Sequence, residues 1–273
     1  VKKFAVLGNP IAQSMSPFIH QLFAKQSNEL LQYDALLIPK TSFSEYATNL
    51  FENEEFKGAN VTVPFKQEAA KFASVLTEEA RIAGSVNTLI KLDNRVVVGA
   101  NTDGVGLVND LVLNNVGLSG QRVLLIGAGG AARGVISPLI QAGVASIAIV
   151  NRTYDRAISL INHFKHKQLE ALSLDQLNQD GHHFDLVINS TSASLYGELP
   201  GVANTVLAHA ACCYDMAYAS EPTIFVAQCE QLGVKQCIDG LGMLVGQAAE
   251  SYFLWNGVRP DVKPVLAALR QRL

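Results

Sequence analysis

Val123-Leu124-Leu125-Ile126-Gly127-Ala128-Gly129-Gly130-Ala131-Ala132 is the stretch that decides the fold. Its apolar start reads as a short buried strand, and Gly130–Ala142 behind the glycines reads as a helix. The order fits Gly-x-Gly-x-x-Ala in a strand-turn-helix setting, which is the dinucleotide fingerprint. Gly127 permits the tight turn, and Gly129 lets backbone approach a pyrophosphate. Ala132 is small enough for the helix to lie on the strand. Around Ala128, Gly130 and Ala131 the helix start offers unpaired N–H groups and partial positive charge to phosphates. An ordinary glycine-rich turn is the competing reading. The strand before the turn and the helix after it favour the nucleotide.

The next strand, Ser146–Val150, ends in Asn151-Arg152-Thr153-Tyr154-Asp155-Arg156. NAD sites usually place an acid at this point to hold the ribose 2′-hydroxyl. No acid follows the strand directly here. Arg152 and Arg156 stand there instead, at a helix start where cations are disfavoured unless an anion relieves them. A guanidinium suits a dianionic 2′-phosphate, so the expected cofactor is NADP.

Strand-like and helix-like runs alternate along nearly all of the chain. The first set of strands is Lys3–Leu7, Tyr33–Ile38, Gly58–Val63, Val86–Leu92 and Val96–Ala100, with Asp93-Asn94 as a hairpin turn. Ser16-Pro17 reads as a helix start, with Ser16 as the cap. After Arg122 come further strands at Asp185–Asn189, Ala211–Met216 and Lys235–Ile238, with a helix at Asp155–Phe164. Leu244–Trp255 and Val262–Leu273 close the chain as helices. The alternation predicts parallel sheets with right-handed crossovers. The expected fold class is α/β, with two α/β domains separated by a substrate cleft and the second a Rossmann-like parallel sheet.

Composition agrees with extensive burial. The 273 residues are 49% hydrophobic and only 16% charged, the opposite of a disordered chain. A net charge of −3 gives no overall electrostatic footprint for nucleic acid or an anionic membrane. The uncharged stretch Gly134–Asn151 is divided by Pro138, Gln141 and Gly143, so it reads as a helix and a strand rather than a membrane span. The apolar run after Val1-Lys2-Lys3 stops at Gly8-Asn9-Pro10 and reads as a strand, not a signal-peptide core. Cys212, Cys213, Cys229 and Cys237 lack Cys-x-x-Cys spacing, and His182-His183 sit in a Gln-Asp-Gly-His-His loop. No metal site is expected, and free thiols point to a reducing, cytoplasmic compartment.

Polar residues gather at strand ends in the first half. They are Ser14-Met15-Ser16-Pro17, Asn60-Val61-Thr62-Val63-Pro64-Phe65-Lys66, Ser85-Val86-Asn87-Thr88 and Gly99-Ala100-Asn101-Thr102-Asp103-Gly104. Singly, each has a plain structural reading: Lys66 as a solvated lysine, Asn87 as a turn residue, Asp103 as a helix cap. Jointly they supply hydroxyls, an amide, a lysine and a carboxylate. That set suits a small polyhydroxylated substrate, and a Lys–Asp pair can move the proton that accompanies hydride transfer at a carbinol.

Over essentially its whole length the sequence resembles the shikimate dehydrogenases. The motifs are Gly8-Asn9-Pro10-Ile11-Ala12-Gln13-Ser14, the Asn60–Lys66 run, Asn101-Thr102-Asp103-Gly104, the glycine loop, and Asn151-Arg152-Thr153. Tyr214-Asp215-Met216 and Asp239-Gly240-Leu241-Gly242-Met243-Leu244-Val245-Gly246-Gln247 complete them. The resemblance implies NADP-linked interconversion of shikimate and 3-dehydroshikimate. It implies Lys66 as the proton-transferring residue and Asp103 as its partner. Ser14, Ser16 and Tyr218 would hold the substrate carboxylate, and Thr62, Asn87 and Gln247 the ring hydroxyls. Asn151, Arg152, Thr153 and Arg156 match the nucleotide-binding motif, and Thr191, Met216 and Gly240 match positions on the nicotinamide side. It further implies a substrate domain over 1–103 rejoined by helices in 241–273, an NADP domain over 104–240, and a monomer or homodimer. Met15 stands where lysine is frequent and Ala100 where a polar residue is common. The loop Asn189-Ser190-Thr191-Ser192-Ala193-Ser194 lacks the family's usual terminal glycine. The alternatives are a mixed quinate/shikimate dehydrogenase and a non-catalytic NADP-binding regulator; a Lys66/Asp103 relay argues against the regulator.

Overall fold

The computed structural model of the chain describes residues 1–93, 96–179 and 181–273. The chain divides into two compact units, Val1–Gly106 with Leu244–Arg272, and Leu107–Met243. In chain order the first unit holds β1 (Lys2–Gly8), α1 (Ser16–Ser27), β2 (Leu31–Leu37), α2 (Phe43–Glu52) and β3 (Phe56–Val61). It continues with α3 (Lys66–Phe72), β4 (Val75–Leu76), α4 (Glu78–Ala83), β5 (Thr88–Lys91), β6 (Val97–Ala100) and the start of α5 (Asp103–Leu113).

The sheet of this unit runs β2-β1-β3-β5-β6-β4. It is mixed rather than parallel as the alternation predicts. β1 is parallel to β2 and β3, but β5 is antiparallel to both β3 and β6. The reason is the connection: β5 and β6 are neighbours in sequence, and only a crossover of a dozen or more residues can make such a pair parallel. Leu92 N–H donates to Val96 O at 3.0 Å beside the turn, while Asn94 of the expected Asp93-Asn94 turn lies outside the described residues.

β1 alternates its burial in the manner of a strand covered on both faces. Ala5 and Leu7 join a core with Phe43, Phe51 and Phe65, whereas Phe4 and Val6 join another with Ile11 and Tyr33. Trp255 packs on Phe4 with ring planes tilted by 30° and centroids 4.7 Å apart, and donates its indole N–H to Leu89 O at 3.0 Å.

The second unit holds β7 (Arg122–Ile126), α6 (Gly130–Gln141), β8 (Ser146–Val150), α7 (Tyr154–Phe164), β9 (Leu169–Leu172) and α8 (Leu174–Leu177). β10 (Leu186–Asn189), a 3₁₀ turn (Ala193–Tyr196), α9 (Asn204–Ala208), β11 (Cys212–Asp215), α10 (Ile224–Gln231) and β12 (Gln236–Ile238) follow. The chain ends in α11 (Leu241–Asn256) and α12 (Val262–Arg272). The strands of the second unit run β12-β11-β10-β7-β8-β9, and every pairing is parallel. That is the doubly wound Rossmann order, with the switch of direction between β7 and β10. Val123 and Leu125 enter one core while Leu124 and Ile126 enter the other, so helices cover both faces.

Ser16 is not a helix cap. It is the first residue of α1, and the cap position is Met15, whose backbone is already helical at φ −85°, ψ −4°. The Ser16 N–H is met instead by Ser14 Oγ at 3.3 Å.

Candidate active site

The first unit gathers its polar residues where strands give way to helices. Lys66 opens α3 directly after the turn that follows β3, and Asp103 opens α5 after β6. Lys66 Nζ donates to Asp103 Oδ2 at 2.6 Å, with side chains 15% and 6% exposed. Asp103 Oδ1 accepts from Asn87 Nδ2 at 2.8 Å. Both carboxylate oxygens are thereby engaged, one by a cation and one by an amide, as is usual for a carboxylate kept away from water. Asn101 accepts from the Asp103 N–H at 3.1 Å and donates to Ser85 O at 2.9 Å, which fixes the backbone under the carboxylate.

Asn87 is the hub. Its Nδ2 also lies 3.2 Å from Gln247 Oε1 and 2.9 Å from Thr102 Oγ1, and its Oδ1 accepts from Thr102 N and Thr88 Oγ1, each at 2.9 Å. Gln247 comes from α11, and its backbone carbonyl accepts from Thr102 Oγ1 at 3.0 Å. Lys66, Asn87, Asp103 and Gln247 therefore form one hydrogen-bonded group drawn from three helices and a strand end.

Ser14 and Ser16 are joined to each other, the first half-buried and the second buried. Thr62 is half-buried just past β3 and tied to β1 through its N–H to Leu7 O at 2.9 Å. Tyr218 belongs to the second unit, beyond β11, and burial pushes its phenol up.

Sequence reasoning quoted Asn60 and Thr88 without a role and missed Tyr33 and Ser251, which form the layer behind this group. Tyr33 donates its hydroxyl to Asn60 Oδ1 at 2.6 Å, and Asn60 Nδ2 reaches Ser251 Oγ at 2.9 Å. Ser251 bonds Thr88 Oγ1 at 2.8 Å. Ser251 lies four residues after Gln247 on α11, and that helical spacing was the available signal.

In the second unit the glycine turn has the features a pyrophosphate needs. Gly127 holds φ at +110°, the left-handed region that favours glycine. A Cβ placed on Gly129 would meet nothing within 4 Å, so the space beside its backbone is open. Gly129 caps α6 without any side chain accepting from the first-turn N–H groups. An open cradle and uncapped donors at a helix start fit a diphosphate. Arg133, one turn along α6, has a buried Nε without a hydrogen-bond partner, and burial holds its guanidinium below the usual range. The sequence reading did not single it out.

After β8, Asn151 Nδ2 donates to Thr153 O at 2.8 Å and shapes the turn into α7. Arg152 and Arg156 are exposed and pair with no carboxylate among the described residues. Two free guanidiniums beside the Rossmann strand that normally carries an acid fit a 2′-phosphate.

Thr191, Met216 and Gly240 meet around the ends of β10, β11 and β12. Thr191 donates its N–H and hydroxyl to Asn189 Oδ1 at 3.1 and 2.7 Å, and Met216 N–H donates to Asn189 O at 2.9 Å. Gly240 lies so close to the Met216 carbonyl that any Cβ would collide with it. Among the described residues no helix is long and apolar enough to cross a membrane. Among them, too, no three His, Cys, Asp or Glu side chains are grouped to hold a metal.

Comparison with known proteins agrees with this geometry. Residues 6–89 match the family described as the shikimate dehydrogenase substrate binding domain, 110–198 the shikimate / quinate 5-dehydrogenase family, and 240–270 the shikimate 5'-dehydrogenase C-terminal domain. The shikimate dehydrogenase (NADP(+)) of Photobacterium profundum is 50% identical over 272 residues, covering 99% of this chain and 98% of that protein. The crystal structure of an enzyme from Pseudomonas putida is 41% identical and superposes with a TM-score of 0.90 over 98% of each chain. The shikimate 5-dehydrogenase of Thermus thermophilus, solved in complex with NADP(H) and shikimate, is 28% identical with a TM-score of 0.87 over 100% of each chain. The chain belongs to the shikimate dehydrogenase family.

Proposed function

We propose that the chain is an NADP-dependent oxidoreductase that interconverts shikimate and 3-dehydroshikimate in aromatic amino-acid biosynthesis, with Lys66 and Asp103 moving the proton. The observation that carries the reading is the 2.6 Å Lys66–Asp103 pair, held on its other side by Asn87. The first unit serves as the substrate domain and the second as the NADP domain.

NADP, when bound, supplies or accepts the hydride. Lys66 Nζ gives its proton to the substrate carbonyl oxygen in reduction and takes it from the hydroxyl in oxidation. Asp103, 2.6 Å away, aims the lysine. Asn87, already donating to Asp103, and Gln247 offer amide groups to ring hydroxyls, as does Thr62 through its hydroxyl. Ser14, Ser16 and Tyr218 are hydroxyl donors suited to the substrate carboxylate. Gly127, Ala128, Gly129, Gly130 and Ala131 receive the diphosphate. Asn151, Arg152, Thr153 and Arg156 receive the 2′-phosphate, and Thr191, Met216 and Gly240 face the nicotinamide.

All four cysteines are free thiols, in keeping with a reducing, cytoplasmic compartment. The protein works as a monomer or homodimer, which light scattering separates. The deciding experiment assays shikimate and quinate in parallel, each with NADP and with NAD. Fastest turnover with shikimate and NADP supports the reading. Quinate turned over as well as shikimate would make the enzyme one of mixed specificity.

A further inference from the structure

Asp215 ends β11, and its side chain is fully buried with no basic partner among the described residues. Four donors converge on it. Ser194 Oγ and Thr223 Oγ1 donate to Oδ2 at 2.6 and 2.7 Å, and Asn189 Nδ2 and Ala217 N–H donate to Oδ1, each at 3.1 Å. Burial pushes the carboxyl above its usual range, and these donors oppose the push. For stability alone a carboxylate is a poor choice here, since neutral donors seldom offset the desolvation of a charge. What it offers is acceptance: an amide would turn an N–H₂ toward one of these donors.

Two of the four donors bracket the segment that follows β10. Asn189, held by Asp215, accepts both Thr191 donors on its own Oδ1. Ser190 donates its hydroxyl to Ile126 O at 2.7 Å. A Cβ on Gly127 would stand 2.6 Å from Ser190 Oγ and 3.1 Å from the Thr191 methyl. The segment thus abuts the glycine turn where β10 and β7 adjoin, which is the switch point of the sheet. Ser194 Oγ, donating to Asp215, ties down the end of this loop.

We propose that Asp215 is a positioning residue for the nicotinamide half of NADP: through Ser194 and Asn189 it holds the 189–194 segment, and Thr191 within it, in the form that receives that half. The proposal rests on the NADP reading above. Its probes are NADP and 2′-phospho-ADP-ribose, which has the same phosphates but no nicotinamide, titrated by calorimetry into the full chain. Ser194 is half-buried in a surface turn, so Ser194→Ala spares both cores. The expected result is NADP bound about tenfold more weakly, equivalent to about 1.4 kcal/mol, with 2′-phospho-ADP-ribose unchanged within about twofold. Ser194→Thr, which keeps the hydroxyl, restores NADP affinity, and the KM for NADP follows the same order while the KM for shikimate stays. Equal weakening of both probes, or unchanged NADP binding in Ser194→Ala, overturns the proposal. A wild-type chain that binds neither probe overturns the NADP reading and the proposal with it.

Discussion

Asp103→Asn is nearly isosteric, and the geometry makes its consequence specific. Asp103 accepts from Lys66 Nζ at 2.6 Å on one oxygen and from Asn87 Nδ2 at 2.8 Å on the other. An amide has only one oxygen. If that oxygen faces Lys66, its N–H₂ confronts the Asn87 N–H₂; if it faces Asn87, its N–H₂ confronts the ammonium. Each orientation sets donor against donor. Removing one member of a buried ion pair costs about 3–5 kcal/mol. Lys66 keeps 15% exposure and can turn partly to water, which places the expected effect toward the lower bound. That cost falls on folding stability; for turnover, a Lys66 no longer aimed forfeits proton transfer worth about 10²–10⁴-fold, and the low end equals a loss of about 3 kcal/mol in kcat/KM. Asp103→Ala leaves room for water to reach both partners, so the amide variant is expected to be no better than the alanine one. The assay is steady-state absorbance of NADPH with 3-dehydroshikimate, alongside thermal melts that confirm folding. An Asp103→Asn enzyme that keeps more than about a third of wild-type kcat/KM refutes the double-acceptor argument, because that loss is under about 1 kcal/mol.

Three other perturbations follow. Arg152→Ala removes an exposed guanidinium with no protein partner, so it should weaken NADP by about ten- to a hundred-fold, as for a charge-assisted bond of about 1.5–3 kcal/mol, and leave NAD nearly unchanged. Equal KM changes for the two nucleotides would remove the 2′-phosphate contact. Gly127→Ala forces a side chain onto φ +110° and brings a Cβ to 2.6 Å from Ser190 Oγ, so it should destabilise the second unit by about 1–3 kcal/mol and weaken NADP binding. Melting and affinity equal to wild type would contradict that strain. His20 is fully buried against Tyr33, and burial holds its imidazole at about 3. The unfolded chain takes up this proton near the ordinary value of about 6.5, so the stability His20 confers is complete above that pH and is lost progressively below it. Between pH 7 and 5, His20→Phe should therefore lose about 2 kcal/mol less than wild type in urea melts, and parallel slopes would contradict this.

The second unit was far more legible in the sequence than the first. Its inner strands β7, β8 and β10 are apolar apart from Arg122, Ser146 and Asn189 at their ends, because helices cover both faces. Hence Ser146–Val150 agrees with β8 to the residue, whereas β9, which carries Glu170, was missed. In the first unit the hairpin between β5 and β6 breaks the β-α rhythm and turns a parallel expectation into a mixed sheet. α2 was overlooked although Phe43, Ala47 and Phe51 recur at helical spacing, because polar residues between them dilute the apolar signal. Lys66, Asn87 and Asp103 stood out because charge and amides at strand ends are conspicuous in so apolar a chain. Asn60 and Asp215 lay within the motifs but were given no role, and Ser251 was not noted. Their importance lies in bonds between residues up to 191 apart in sequence, and no local pattern carries such a distance.

The most direct test of the whole account follows absorbance at the nicotinamide band after shikimate and NADP are mixed with the purified chain and with its Lys66→Ala variant. The account predicts NADPH formation by the wild type and a turnover about 10²–10⁴-fold lower in the variant. No NADPH from the wild type, or a variant within about twofold of it, would contradict the proton transfer assigned to Lys66.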